Sequence, residues 1–463
     1  MDQDHLETAL EKMRADGVAD VAVRTFAHYY ERLRAGEGGA LPEADIEPVA
    51  DLPDADELPE DEEGAREALA QTVVIKLNGG LGTSMGMSGP KSLLEVKDGL
   101  TFLDITVRQI LELRARTDAA LPLVLMNSFA TRDASLAALE PYADLAVDGV
   151  PADFLQSKVP KLAADDLAPA SWPADPRLEW APPGHGDLYP SLLSSGMLQA
   201  LLDGGYRYAF VANVDNLGAV MAPRVLAWFA REQIPFLMEV ADRTAADRKG
   251  GHLAQRPRGG LVLREIAQTP DDDAEAFQDT ARHRFFNTNT LWIDLHALRD
   301  VLAERDGVLG LPMIVNRKTV DPGDSSSTPV IQLETAMGAA IDVFDGARAI
   351  RVPRERFAPV KTTDDLLALR SDAYVLHGDG TVAVAPERDG ASAPLVQLDP
   401  KHYKLVRDFE LRFPAGPPSL VQAERLTVRG DVVFGANVVV RGAVAVEHDG
   451  DGQRTVEDGA VLE

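Results

Sequence analysis

Residues Thr72 to Ser92 read TVVIKLNGGLGTSMGMSGPKS, a β-branched run that passes straight into a loop with five glycines in eleven residues, Gly79 to Gly89. The run from Thr72 to Leu77 has the length and composition of a buried strand. A loop so rich in glycine is costly in backbone entropy, but it lets main-chain amides approach a ligand closely and form a concavity for an anion. Two common phosphate loops do not match it. The dinucleotide fingerprint needs a glycine where Met85 stands, and the Walker loop needs adjacent Gly and Lys, whereas Pro90 separates Gly89 from Lys91. What remains is a phosphate or nucleotide loop ending in the cation Lys91, with a plain tight turn as the blander reading.

Working outward, further strand patterns are PLVLMNS from Pro122, YAFVANV from Tyr208, IPFLMEV from Ile234, GLVLREI from Gly260 and TLWIDL from Thr290. Helical patterns lie between them, DITVRQILELRART from Asp104 and MAPRVLAWFAREQ from Met221. This alternation predicts an α/β domain over 71–380 whose central sheet is mostly parallel, with helices on both faces. Residues 1–70 are expected to hold one or two amphipathic helices and then a solvated acidic linker, EADIEPVADLPDADELPEDEEGARE, from Glu43 to Glu67. Over 381–463, valine-rich runs punctuated by Gly430, Gly435 and Gly442 predict β-helix coils, with a hairpin meander as the alternative.

Composition narrows the function. Among 463 residues Lys plus Arg number 46 and Asp plus Glu 74, a net charge of -28, and there is no cysteine. Disulfides, thiolate zinc sites and cysteine nucleophiles are excluded. The charge argues against nucleic-acid polymers and anionic membranes. There is no apolar run of about 20 residues and no signal-peptide pattern at the start, so a soluble, cytoplasmic protein is expected. An anionic ligand then needs a few well-placed cations within a repulsive surface.

Other segments carry candidate chemistry. Trp180 to Pro190, WAPPGHGDLYP, reads as a rigid exposed loop presenting His185. Asn213 to Gly218, NVDNLG, follows the strand YAFVA and sets Asp215 at the carboxyl end of a sheet, where a carboxylate can hold Mg²⁺ against phosphate. Asp247 to Gly251, DRKGG, puts Arg248 and Lys249 beside a glycine pair. Phe286 to Asn289 offers amides suited to sugar hydroxyls. Gln332 to Ala336, QLETA, is read as opening an alanine-rich helix, and Lys361 stands between a proline and a capping run.

Together LNGGLGTSMGMSGPKS, WAPPGHGDLYPSL, FVANVDNLGA, ADRKGG, FNTNTLW, IQLETAMGAAI and RFAPVKTTDDLL resemble the UTP–glucose-1-phosphate uridylyltransferases of eukaryotic type. The blocks appear in family order from about Val73 to Tyr374. The resemblance implies a Rossmann-like nucleotidyltransferase core with a mixed, mostly parallel central sheet, a C-terminal left-handed β-helix, Mg²⁺, and the substrates UTP and glucose 1-phosphate. It implies that Leu77, Asn78, Gly79 and Gly80 hold the nucleotide and that Lys91 contacts its phosphates. Met126, Gln156 and Gly184 would line the uracil site. His185, Asn213, Val214, Glu239, Gly251 and Asn289 would meet the sugar or its phosphate. Asp215 would meet metal and nucleotide, and Lys361 matches the family's catalytic lysine. One departure is Thr290, where the family usually reads Asn in FNTNNLW. A homo-oligomer through the C-terminal domain is a further expectation. Competing readings are a broader UDP-sugar or UDP-N-acetylhexosamine pyrophosphorylase, a non-catalytic sugar-nucleotide-binding protein and, more distantly, a nicotinamide dehydrogenase.

Overall fold

The computed structural model describes residues 2–244, 247–248, 250–390 and 392–463. Ten strands form one central sheet: β1 (Glu47–Pro48), β2 (Thr72–Asn78), β3 (Leu123–Asn127), β4 (Asp153–Leu155), β5 (Tyr208–Asn213), β6 (Phe236–Asp242), β7 (His252–Gln255), β8 (Leu261–Arg264), β9 (Phe285–Asp294) and β10 (Arg348–Arg351). Their order is β1-β7-β9-β5-β2-β3-β4, with β8 on β7 and β6 joining β9 to β10. The neighbours β5, β2, β3 and β4 are mutually parallel. Beyond β5 the sheet turns antiparallel through β9, which pairs β5, β6 and β7. The α/β class holds and the sheet is mixed, as expected, but it is not mostly parallel: among the described residues four of its strand pairings are parallel and five antiparallel.

Alternate residues of the parallel strands enter different cores. Val73, Ile75, Val124 and Met126 pack on one side, whereas Val74, Leu123 and Leu125 pack on the other against the helix Phe102–Thr117. Both faces are covered, which is why these strands read as continuous apolar runs. Thr101 caps that helix with a reciprocal capping box to Asp104.

The acidic segment is not a solvated linker. Val49 and Ala55 are buried in the two main cores, β1 pairs with β7, Asp54 is ion-paired to Arg351, and the helix Glu62–Leu69 packs Ala68 and Leu69 beside Val74. Its charges have specific partners, which composition could not reveal. The two N-terminal helices, Asp2–Ala15 and Asp20–Arg34, bury Phe26, Tyr29 and Tyr30 against Leu162, Met313 and Leu333.

QLETA is also corrected. Gln332 to Thr335 belong to the strand Pro329–Thr335, antiparallel to Met313–Thr319, and only a 3₁₀ turn, Met337–Asp342, comes after it. The strand is buried on both faces, Ile331 and Leu333 in the core under the N-terminal helices and Val330 in a smaller cluster with Ala170 and Val320, and this burial outweighs the helical preference of the alanines beyond. From Leu395 onward the C-terminal region is a small all-parallel stack in which Ser419 pairs with Val439 and Val439 with Val461, while Val432 pairs with Arg454; Val382–Val384, before it, pairs antiparallel with Tyr374–Leu376. The meander is therefore excluded, since hairpins would pair antiparallel. Among the described residues no helix is long and apolar enough to cross a membrane.

Candidate active site

The carboxyl ends of β2, β3 and β5 lie side by side, so the segments leaving them share one edge of the sheet. β2 delivers the glycine loop. Gly82 and Gly86 take φ of 63° and 74°, values that favour glycine. The loop folds back so that the Lys91 amide donates to the Gly80 carbonyl at 3.0 Å. This aims the Lys91 side chain at the end of β5, where Nζ lies 2.6 Å from Asp215 Oδ2. Gly80 is exposed, and a Cβ there would meet nothing within 4 Å.

The base side is built from β3 and the segment after β4. The Gln156 amide lies across Gly79, where an added Cβ would come within 2.8 Å of Gln156 Oε1. Two expected contacts lie beneath this surface. Met126 is buried in the core at the level of Leu77, itself packed against the same core. Asn78 turns inward, donating to Asn127 Oδ1 at 2.7 Å and Ser135 Oγ at 2.8 Å, so its side chain braces the loop instead of facing the cleft.

His185 is half-buried, not displayed on an exposed loop. Gly184, with φ of 79°, and Gly186 press against Thr335, and neither position has room for a Cβ. The Met337 amide donates to His185 Nδ1 at 3.0 Å, which leaves Nε2 as the protonated nitrogen. Burial lowers the His185 pKa to about 4, so the ring is neutral at physiological pH. Two residues on, burial raises the Asp187 pKa to about 6, although its carboxylate accepts the Ser191 hydroxyl at 2.7 Å and the Ser157 amide at 2.6 Å.

The Asp215 turn is fixed to the segment that ends in Lys361. Asn216 Oδ1 accepts from the Ala358 amide at 3.0 Å, and its Nδ2 donates to the Arg356 carbonyl at 3.1 Å. Arg356 in turn makes a two-pronged pair with Glu239, 2.7 and 2.9 Å, and Trp292 Nε1 donates to the same carboxylate at 2.9 Å. Glu239 is 0% exposed, so the expected sugar contact is corrected: both its oxygens are engaged in anchoring Arg356. Val214 is likewise buried, with its amide donating to the Leu77 carbonyl, and it offers no group to a sugar phosphate. Asn213 is part-exposed at the strand end. Lys361 is exposed, and its Nζ lies 5.4 Å from the Phe357 ring centre.

On the sugar side, Asn287 and Asn289 bond reciprocally, Asn289 adopting φ of 57° within β9. The Asn287 amide donates to the Gly251 carbonyl, and the Glu265 carboxylate lies where a Gly251 Cβ would be. Burial raises the Glu265 pKa, partly offset by the Lys361 charge, so these two groups sense each other. Thr290 is buried and its hydroxyl has no partner. Arg248 sits on this flank, and Lys249 lies outside the described residues.

Sequence reasoning missed Glu265 and Lys76, and it placed Asn216 in the NVDNLG motif without giving it a role. Only Lys76 carried a signal, being a cation inside an apolar strand. It is 3% exposed, donates to the Ala219 carbonyl at 2.9 Å, and has its pKa lowered to about 7 by burial and then by Arg356.

The resemblance also implies Mg²⁺. Among the described residues no three His, Asp or Glu side chains gather as a ligand set. Asp215 in the cleft therefore fits Mg²⁺ only as one carboxylate beside substrate phosphates and water, a mode this ion favours.

The chain is similar to known proteins over most of its length. The family description "UTP–glucose-1-phosphate uridylyltransferase" matches residues 23–441. The chain is 44% identical to the UTP–glucose-1-phosphate uridylyltransferase of Solanum tuberosum over 406 residues, 88% of this chain and 83% of that one. It superposes with a TM-score of 0.92 and 47% identity on a protein from Trypanosoma brucei described as a UDP-glucose phosphorylase, covering 99% of this chain and 98% of that one. A variant of the UDP-glucose pyrophosphorylase from Leishmania major, in complex with UDP-glucose, gives a TM-score of 0.92 at 46% identity over 99% of this chain and 98% of that one. With the match running from the N-terminal helices into the C-terminal stack, the chain belongs to the UTP–glucose-1-phosphate uridylyltransferase family.

Proposed function

We propose that this protein converts UTP and glucose 1-phosphate to UDP-glucose and pyrophosphate. A phosphate oxygen of the sugar phosphate attacks the UTP α-phosphorus in line; the bond from that phosphorus to the α,β-bridging oxygen breaks, and pyrophosphate leaves. The observation that carries the reading is the convergence of the glycine loop, Lys91, Asp215 and the Lys361 segment at one sheet edge.

The nucleophile has a second pKa of about 6 and is largely a dianion at neutral pH, so no general base is required. The obstacle is two polyanions, which makes catalysis a matter of positioning and charge neutralisation. Loop amides around Gly79 and Gly80 hold the triphosphate, and Gln156 reads the uracil edge. Lys91 leaves Asp215 for phosphate oxygens, while Lys361 stabilises charge growing at the α-phosphate. Neutral His185 donates from Nε2 to the sugar phosphate. Glu265 and Asn289 accept from and donate to glucose hydroxyls. When bound, Mg²⁺ supplies charge neutralisation to the phosphates, with Asp215 as its protein ligand. We also read the C-terminal stack as a left-handed β-helix, supported by its all-parallel pairing, although it shares one buried core with Met85, Phe102 and Leu366 and is not the separate domain expected.

Incubation with UTP and a panel of sugar 1-phosphates, with and without Mg²⁺, tests the reading. UDP-glucose and pyrophosphate should appear in equal amounts, with glucose 1-phosphate preferred. Equal turnover of N-acetylhexosamine 1-phosphates would favour the broader pyrophosphorylase.

A further inference from the structure

The acidic segment contributes more than packing. Glu43 is a hub: its carboxylate lies 2.6 Å from Arg264 Nη1, 2.7 Å from Arg282 Nε, and 3.0 Å from His283 Nε2. Its own amide donates to Asp273 at 2.7 Å, and Asp273 takes the second Arg264 nitrogen at 3.0 Å. The Arg264 side chain is wholly buried, so these two carboxylates balance a charge that water cannot reach.

What makes this hub functional is where its partners lead. Arg264 ends β8 and precedes Glu265, whose carboxylate rests on Gly251. His283 stacks on His252 with ring centres 3.9 Å apart, and His252 is the residue after Gly251. The Gly251 carbonyl accepts from the amide of Asn287, the partner of Asn289. Both routes out of Glu43 thus end on the residues assigned to the sugar, and neither ends on the glycine loop or Gln156.

We propose that Glu43 is a positioning residue for the sugar subsite, acting through Arg264 and His283 on Glu265 and Gly251. The inference rests on the assignment of that subsite to the sugar. Its physical basis is that Arg264, braced by two carboxylates with Arg282 completing the charge balance, fixes the strand end carrying Glu265, and a misplacement of about 1 Å caused far from the chemistry can cost roughly 100-fold in rate.

The test is direct binding to Glu43→Gln, measured by calorimetry with UTP and, separately, with UDP-glucose. UDP-glucose affinity should fall at least fivefold, with UTP affinity held within twofold. Glu43→Asp, which keeps the charge but shortens its reach, should recover part of the loss. Arg282→Met, at a half-exposed position, removes one strut without leaving a buried charge and should shift UDP-glucose alone in the same direction; it serves if Glu43→Gln does not fold. Equal losses for both ligands, or no loss in a folded variant, would overturn the proposal. Failure of the wild-type protein to bind UDP-glucose would instead overturn the functional reading on which it rests.

Discussion

Lys91 Nζ and Asp215 Oδ2 stand 2.6 Å apart, joining the end of the glycine loop to the end of β5. With side chains only 16% and 21% exposed, the pair is shielded enough for its attraction to matter. Before substrate enters, the loop's one cation is neutralised by the carboxylate that would later face metal and phosphate. Lys91→Ala should lower kcat/KM by roughly 100- to 1,000-fold, the range seen when one preorganised charge-stabilising donor is lost. Steady-state kinetics check this; a loss below about threefold would remove Lys91 from the site.

Lys361 differs in kind. It is exposed, and its Nζ has no ion-pair partner among the described residues, so it is free to meet an incoming phosphate. Lys361→Ala should lower kcat far more than it raises the KM for UTP, as expected for an interaction made mainly in the transition state. A near-normal kcat would end the catalytic assignment.

His185 and Asp187 give opposite pH signatures. The His185 pKa falls from 6.5 to about 4 on folding, so the unfolded chain binds more protons between those values, and stability is lost as pH falls from 6.5 toward 4. The Asp187 pKa rises from 3.8 to about 6, so its cost is present above 6 and fades as pH falls toward 3.8. Between pH 8 and 5, wild type should lose thermal stability relative to His185→Asn and gain it relative to Asp187→Asn. Thermal midpoints across that range check both signs; drift of the two variants in one direction would contradict the assignment.

Two glycines separate folding from binding. Gly184 combines φ of 79° with backbone of Thr335 where a Cβ would go, so Gly184→Ala should destabilise by about 1–3 kcal/mol. Gly80 has open space at that position, so Gly80→Ala should stay within about 0.5 kcal/mol of wild type while weakening UTP binding. Urea melts together with UTP titration distinguish the two outcomes.

Much of this was legible in the sequence because it depends on local pattern. Thr72 to Leu77 had to be a buried strand, and the residues from Asn78 onward had to form a glycine loop. The inward turn of Asn78, the commitment of Glu239 to Arg356, and the burial of Val214 were not legible, because each depends on a partner far along the chain. The segment from Glu43 misled for a related reason. Seven acidic residues in its first fifteen, Glu43 to Glu57, look solvated by composition, yet Glu43 and Asp54 each meet arginines more than 200 residues away. Likewise β9 is antiparallel to its neighbours, a property of the connection that no strand pattern reports.

Attack of the sugar phosphate on the UTP α-phosphorus underlies every role assigned above. Following label from glucose 1-[³²P]phosphate in the presence of UTP reads that step directly. All label should enter UDP-glucose, and the pyrophosphate released should be unlabelled. Label appearing as inorganic phosphate, with the glucosyl group transferred without its phosphate, would contradict this chemistry.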